Sequence, residues 1–446
     1  MDHSFEITAN CVDVIAGKIT PAIVRVRGGK IAEIEPTSAA TGYLLPGFVD
    51  AHIHIESSML LPTQFAHVAV THGTVATVSD PHEIANVCGI DGIEFMLQDA
   101  EKTPFKFHFG APSCVPATDF ETAGARIGVE EIEKLLDDPR INHLSEMMNF
   151  PAVIARQPEV MAKLAAAQKR NLPIDGHAPG LRGSETTSYF SAGISTDHEC
   201  VGLEEAEEKI LAGCKIAIRE GSAARNFDAL WPLIDRYPES CMFCSDDKHP
   251  DELMMGHINQ LIVRAVEKGC DLFNILRAAS TNAVHHYGLD VGLLQVGDPA
   301  DFVLVDNLQE FQVLETYIDG QLVAKEGESQ LHAESTSQIN KFDVLPLSPE
   351  SLVVRATSNR VRMIQVIDGQ LLTQVAETDV PTENGIAQTD PENDILKLVV
   401  VNRYRRTNPA VGFVRGFGMR DGALASSVAH DSHNVLAVGA NDDEIL

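Results

Sequence analysis

Six residues of this chain are of the kinds that hold transition-metal ions, and their placement gives them a common address. Asp50-Ala51-His52-Ile53-His54 closes an apolar run, and the two-residue step between His52 and His54 puts both imidazoles on one face of an extended chain. Glu146, His177, His198 and Asp246 each stand at the end of another apolar run. Four histidines and two carboxylates exceed the three protein ligands that a catalytic zinc ion takes. They suit two divalent ions a few ångströms apart with one carboxylate between them. The reading puts His52, His54 and Asp246 on one ion, His177 and His198 on the other, and Glu146 across both. Imidazole and carboxylate donors without thiolate favour iron, manganese, zinc or cobalt over calcium and magnesium.

Residues so far apart in sequence need a scaffold that gathers them. Apolar strand-like runs recur at Leu44 to Ile55, Thr74 to Val78, Phe105 to Ala111, Ile141 to Met147, Leu172 to Asp175, Gly193 to Thr196, Cys214 to Ile218 and Cys241 to Cys244. Helical patterns lie between them, among them Val129 to Leu136, Pro158 to Lys169, Glu204 to Leu211 and Ile258 to Lys268. Strands and helices in alternation predict an α/β fold, a (β/α)8 TIM barrel over residues 46–287, whose site lies at the C-terminal ends of the strands. All six ligand-type residues fall there. The end of the second strand, Ser79-Asp80-Pro81-His82-Glu83, brings further polar groups to the same mouth.

The flanks have a different texture. Short β-branched runs around Ala16-Gly17 and the hairpin turn Arg27-Gly28-Gly29-Lys30 resume at Phe302-Val303-Leu304-Val305 and the Asp319-Gly320 turn. Residues 1–45 and 288–335 are therefore expected to form one small, split β-sandwich domain. Residues 336–446 form an α+β C-terminal domain, with strands expected at Ser351 to Ala356, Met363 to Ile367 and Ile395 to Val401, and a polar loop over 376–393. The chain stops at Asp442-Asp443-Glu444-Ile445-Leu446 directly after a strand-like run, so this domain is expected to be incomplete.

Composition narrows the function classes. Among 446 residues, 34 are Lys or Arg and 64 are Asp or Glu, a net charge of −30 that repels nucleic acid and anionic membranes. No apolar run reaches the 18 residues of a membrane span, and the N-terminus lacks the basic and apolar regions of a signal peptide. The eight cysteines are scattered and read as reduced thiols of a cytoplasmic protein. Cys241-Met242-Phe243-Cys244 has C-x-x-C spacing but no second pair, so buried thiols are expected there. His67, His72, His108, His143, His257, His285 and His286 fall in helices or away from strand ends and read as packing or surface residues.

Leu45-Pro46-Gly47-Phe48-Val49-Asp50-Ala51-His52-Ile53-His54 resembles the first-strand signature of the amidohydrolase superfamily of metal-dependent hydrolases. Five further segments resemble the bacterial type of adenine deaminase: His54-Ile55-Glu56-Ser57-Ser58-Met59, Ser79 to Val87, Glu146-Met147-Met148-Asn149-Phe150-Pro151, Asp175 to Leu181 and Ser245-Asp246-Asp247-Lys248-His249. The likeness extends to His430-Asp431-Ser432-His433-Asn434 in the tail, and Glu146 stands where many relatives carry a carbamylated lysine. The resemblance implies hydrolytic deamination of adenine to hypoxanthine and ammonia in a binuclear site. It also implies two divalent metal ions, manganese or iron ahead of zinc or cobalt, and a homo-oligomer. Asp246 would accept and return the proton, and Glu56, Glu83 or His82 would protonate the purine ring. Ser57, Asp80 and His82 are the expected substrate contacts. Glu56 and Ser57 equally suit capping of the helix after the first strand, and His430 and His433 could close over the site or form a structural pair. A cyclic amidase or deacylase on the same metals stays open, because fold does not fix function. So does a truncated, non-catalytic product, since members of this family continue beyond the equivalent of Leu446.

Overall fold

The computed structural model describes residues 4–118, 120–332, 337–356, 358–368 and 372–446. They form two compact units, one of residues 4–82, 90–114 and 127–337, the other of residues 83–89, 115–126 and 338–446.

Among the described residues of the first unit, eight parallel strands follow one another in sequence: β1 (Phe48–Ile53), β2 (Thr74–Ser79), β3 (Lys106–Ala111), β4 (Ile141–Met147), β5 (Ile174–Gly176), β6 (Thr196–Asp197), β7 (Lys215–Arg219) and β8 (Cys241–Cys244). β1 to β5 pair in order, as do β6 to β8. The ring closes through a few hydrogen bonds outside the ladders, among them Ser195 N to Ile174 O at 2.9 Å between β5 and β6, and Asp246 N to His52 O at 2.9 Å between β8 and β1. This is the expected barrel, with β5 and β6 shorter than their apolar runs. At that seam a Cβ on Gly176 would run into the Thr196 carbonyl, so glycine is what lets β5 approach β6.

Amphipathic helices cover the ring. Val129–Leu136 buries Ile132, Leu135 and Leu136, and its N-terminus is capped by Glu131 Oε2 accepting from Gly128 N at 3.0 Å. Pro158–Lys169 starts on a proline, which costs nothing where no backbone donor is needed, and buries Leu164 and Ala167.

The run Leu44 to Ile55 is two strands rather than one. Tyr43–Pro46 pairs with Phe302–Val305 and with Phe5–Asp13 in a separate eight-stranded sheet, and only Phe48–Ile53 enters the barrel. The break falls at Gly47, where a Cβ would collide with the Val75 side chain. That separate sheet contains strands from both ends of the unit, and both expected two-residue hairpins are present, with Arg27 opposite Lys30 and Ile318 opposite Gln321. Its core includes Val24, Val26, Ile31, Leu44 and Phe302.

In the second unit a six-stranded sheet runs in the order Gln374–Asp379, Arg360–Gln365, Ala410–Arg415, Leu396–Val401, Asn434–Gly439, Ala423–Ala429. Two expectations fail here. Ser351 to Ala356 is no strand: Pro349–Leu352 is a 3-10 turn, begun by a proline and a serine cap at Ser348. The polar stretch 376–393 is no loop: it holds the end of Gln374–Asp379 and a small hairpin of Thr382–Glu383 with Ile386–Ala387. Polar edge strands have one face in water, so their composition mimics a loop.

Candidate metal centre

The residues expected to bind metal come together at the C-terminal mouth of the barrel. His52, His54, Glu146, His198 and Asp246 are buried, and His177 is partly so. His52 and His54 come from the end of β1, and their Nε2 atoms lie 3.2 Å apart. Asp246 Oδ1 is 3.2 Å from His54 Nε2 and 3.5 Å from His52 Nε2. Glu146 divides its carboxylate: Oε1 lies 3.5 Å from His54 Nε2, while Oε2 lies 2.7 Å from His177 Nδ1 and 3.2 Å from His198 Nε2. It stands between the two groups that the sequence separates.

Asp246 follows β8 with φ of 55°, in the left-handed region that aspartate and asparagine enter more readily than most non-glycine residues. Two backbone hydrogen bonds to β1, Asp246 N to His52 O and His54 N to Asp246 O, hold that turn. Strain of this kind persists where the surroundings over-determine it, and here it aims a carboxylate into the mouth.

The donor set fits divalent cations. His54 Nδ1 lies 3.1 Å from the Asp80 carbonyl, which only accepts, so Nδ1 carries a proton and Nε2 points inward. Nε2 faces two carboxylate oxygens, so the arrangement calls for positive charge there, from a proton or a metal ion. Burial and His82 lower the pKa of His54, yet Asp246, Asp247 and Glu146 reverse this and raise it well above its ordinary value. Burial likewise pushes the Glu146 and Asp246 carboxyls up. His177 and His198 beside the first, and Arg219 with His52 and His54 beside the second, more than undo it and hold both well below the usual range. The mouth demands cations.

Other expected site residues lie at varying removes. Asp80 Oδ2 accepts from His82 Nδ1 at 3.1 Å, and His82 Nδ1 lies 3.5 Å from Glu146 Oε1, so His54, Asp80, His82 and Glu146 form one buried group. Asp80 Oδ1 is buried without a hydrogen-bond partner among the described residues. Ser57 does not cap: its hydroxyl donates to Asp247 Oδ1 at 2.6 Å. Glu56 stands in the first turn of a short 3-10 helix, half-buried. Glu83 belongs to the second unit, where its carboxylate accepts from His433 Nε2 at 2.7 Å and faces His430 Nε2 at 3.3 Å.

Two residues escape the sequence reading. Glu199, beside His198, lies 3.4 Å from His198 Nε2 and 3.7 Å from His177 Nδ1. Arg219, the last residue of β7, reaches Asp246 Oδ2 at 2.5 Å and grips Glu199. The available signal was position alone: β7 is the one strand from β4 to β8 whose end had no role, and it ends in a charge.

With this geometry in hand, similarity becomes informative. Residues 43–323 match the amidohydrolase family, and residues 370–446 match the adenine deaminase C-terminal domain. The adenine deaminase of Salinibacter ruber is 56% identical over 447 residues, covering 100% of this chain and 82% of that protein. The chain belongs to the adenine deaminase family of amidohydrolases. Within that family, the adenine deaminase of Sulfurovum sp. is 53% identical, over 98% of this chain and 81% of its own length. Among solved structures, the β-aspartyl dipeptidase of Fervidobacterium islandicum AW-1 superposes with a TM-score of 0.57 at 14% identity. It covers 75% of this chain and 100% of its own. The D-hydantoinase of Thermus sp. gives 0.55 at 14%, over 73% of this chain and 96% of its own. At such identity these structures speak for the fold alone, the barrel that family membership implies.

Proposed function

We propose that this adenine deaminase family member removes the 6-amino group of adenine by hydrolysis, giving hypoxanthine and ammonia. One observation carries the reading: four imidazoles and two carboxylates of the first unit converge in a single buried mouth with a deficit of positive charge. Two divalent ions are assigned to it, manganese or iron before zinc or cobalt. His52, His54 and Asp246 would hold one, His177 and His198 the other, with the Glu146 carboxylate shared between them. Such ions, when bound, would supply Lewis acidity that lowers the pKa of water to about 7.

The side chains then have distinct tasks. Asp246, with Oδ2 held by Arg219, keeps Oδ1 to take the proton of the attacking water and to pass it to the leaving amine. Protonation of the ring falls to His82, which belongs to the buried group around Glu146. Burial raises Glu83, but His430 and His433 outweigh it and keep that carboxylate ionised, an acceptor and not an acid. Glu56 and Ser57 shape the mouth from the turn after β1, Ser57 through Asp247. Asp80 Oδ1, an acceptor without a partner, suits an N–H of adenine.

Adenine is neutral and needs no basic patch, which suits a protein of charge −30 and disfavours polyanionic partners. No helix among the described residues is long and apolar enough to cross a membrane. A cytoplasmic homo-oligomer is the proposed state.

The test is ammonia release from adenine, adenosine, guanine and cytosine by protein expressed with added Mn²⁺, with bound metal counted in the same preparation. Release from adenine alone is expected. Full metal content with no release from any of the four would sink the deaminase assignment.

A further inference from the structure

Arg219 touches both halves of the metal centre without being a ligand type itself. Its side chain is almost fully buried at the end of β7. Nη1 donates to Asp246 Oδ2 at 2.5 Å and to Glu199 Oε1, and Nη2 donates to Glu199 Oε2 at 3.0 Å. Glu199 is therefore held by a two-pronged fork, the geometry that a planar guanidinium provides and an ammonium cannot. The backbone beneath is fixed as well. Asn226 Oδ1 accepts from Arg219 N at 2.7 Å, and Asn226 Nδ2 donates to the carbonyls of His198 at 3.0 Å and Cys200 at 3.1 Å. One asparagine thus latches the end of β7 to the loop that carries His198 and Glu199.

Two potential ion groups are at stake, His52 with His54 and Asp246, and His177 with His198 and Glu199. Arg219 joins the carboxylate of the first to the carboxylate of the second. A carboxylate turns easily about its last torsion, which has a broad two-fold profile. Fixing Oδ2 on the guanidinium decides that Oδ1 faces His52 and His54.

We infer that Arg219 is a positioning residue of the metal centre: it fixes which Asp246 oxygen serves the His52/His54 group and sets that group's spacing from Glu199. Nothing in the family match assigns a role to this side chain. The inference rests on the proposed metal centre, and its test separates the two. A wild-type protein that binds no divalent metal overturns the metal centre itself. With wild-type metal bound, the variants address Arg219 alone.

The experiment compares full-length wild type with Arg219→Gln, Arg219→Lys, Glu199→Gln and the double variant Glu199→Gln/Arg219→Gln, each loaded with Mn²⁺. The readouts are metal per chain, the rate of Mn²⁺ loss to excess EDTA, and kcat and KM for adenine. For Arg219→Gln we expect metal content about half that of wild type, Mn²⁺ loss at least tenfold faster, and kcat lowered at least tenfold with KM within threefold. Arg219→Lys should fall between, because one ammonium cannot hold two carboxylates in register. If Arg219→Gln does not fold, Arg219→Lys carries the test, with Mn²⁺ loss at least threefold faster expected. Wild-type retention in whichever variant is measured overturns the inference. The double variant decides the cause. Retention as poor as in Arg219→Gln supports positioning of Asp246, whereas recovery to the wild-type rate means that Arg219 only neutralises Glu199, and overturns it.

Discussion

Two buried histidine–carboxylate systems share β1, and they are built on opposite principles. Asp50 Oδ1 accepts from the backbone nitrogens of His52 at 3.2 Å and Ser245 at 3.1 Å, and its Oδ2 accepts from the Ser245 hydroxyl and from His257 Nε2 at 2.7 Å. His257 Nδ1 meets Thr74 Oγ1 at 2.7 Å. Each acceptor has its donor, and the network ties β1 to β2 and β8. Four residues beyond Asp50, His54 turns Nε2 toward Glu146 and Asp246. The first system is satisfied by protein alone, as buried polar groups normally are. The second is satisfied only by adding charge. Counting donors against acceptors therefore tells a structural histidine from a ligand, where burial does not: His257 and His54 are equally buried.

The sharpest way to break this contrast is to remove the shared acceptor of the open system. Glu146→Gln should lower kcat/KM for adenine at least about a thousandfold, roughly 4 kcal/mol at 1.36 kcal/mol per tenfold. Metal content, read by elemental analysis, should fall with it. Full metal occupancy in that variant would refute the bridge.

A closed ion network next to the open one gives the second largest effect. Lys209, fully buried, donates to Asp197 Oδ2 at 2.7 Å, Glu205 Oε1 at 2.6 Å and the Ala178 carbonyl at 2.6 Å. It thereby bolts together the segments beside His177 and His198. Lys209→Met leaves two buried carboxylates without their cation and should cost about 3–5 kcal/mol of stability. Burial pushes the Asp197 carboxyl up, but Lys209 more than reverses this and leaves it below its ordinary value. The wild-type contribution is thus complete above the unfolded pKa near about 3.9 and is lost as pH falls through the folded one. In the variant only His198 and the Glu199 backbone N–H still oppose burial, so the Asp197 carboxyl rises from its wild-type position and the stability gained from its ionisation shrinks. The gap in melting temperature should be widest at neutral pH and shrink toward about pH 3. A gap independent of pH would mean that Asp197 is not the group involved.

His257→Ala should do the reverse of Glu146→Gln. Removing one donor from Asp50 leaves a buried acceptor short of a partner, at about 1–3 kcal/mol. The melting temperature should drop while metal per folded chain stays at the wild-type level. Loss of metal in His257→Ala would show that the two systems are not separable.

How much of this was legible in the residues follows the same divide. The ligands were readable because each is a rare type at a strand end, and because His52-Ile53-His54 fixes a shared face. The barrel was readable from repetition, even though Thr196–Asp197 is only two residues long. Glu199 and Arg219 were not, because an acid and a base on separate strands pair only when the ring closes. Gly47 hid a boundary for a similar reason: Tyr43–Pro46 and Phe48–Ile53 are both rich in apolar residues and almost wholly buried, and a Cβ at Gly47 would collide with Val75. In the second unit, the exposed faces of Gln374–Asp379 carry no apolar alternation strong enough to mark a strand.

The smallest effect belongs to the residues whose chemistry looks most suited to metal. Cys241 and Cys244 have the spacing of a ligand pair, but both lie inside β8, and a step of three along a strand sends their side chains to opposite faces. Both thiols are buried. Desolvation pushes Cys241 up to about 12, only weakly offset by Lys215, and Cys244 well above its ordinary value, where Asp50 and Asp246 add to the rise. Neither forms the thiolate that binds metal or reacts. None of the eight cysteines is in a disulfide, and only Cys88 and Cys270 are partly exposed. A thiol reagent such as DTNB should therefore titrate no more than these two in the native protein and the remaining six after unfolding. Cys241→Ala/Cys244→Ala should keep metal content unchanged and kcat within about twofold, at a packing cost of about 1 kcal/mol per site. Metal loss in that double variant would put thiolate in the centre and undo the argument from donor count, since the strand would then have to turn a buried sulfur into the mouth.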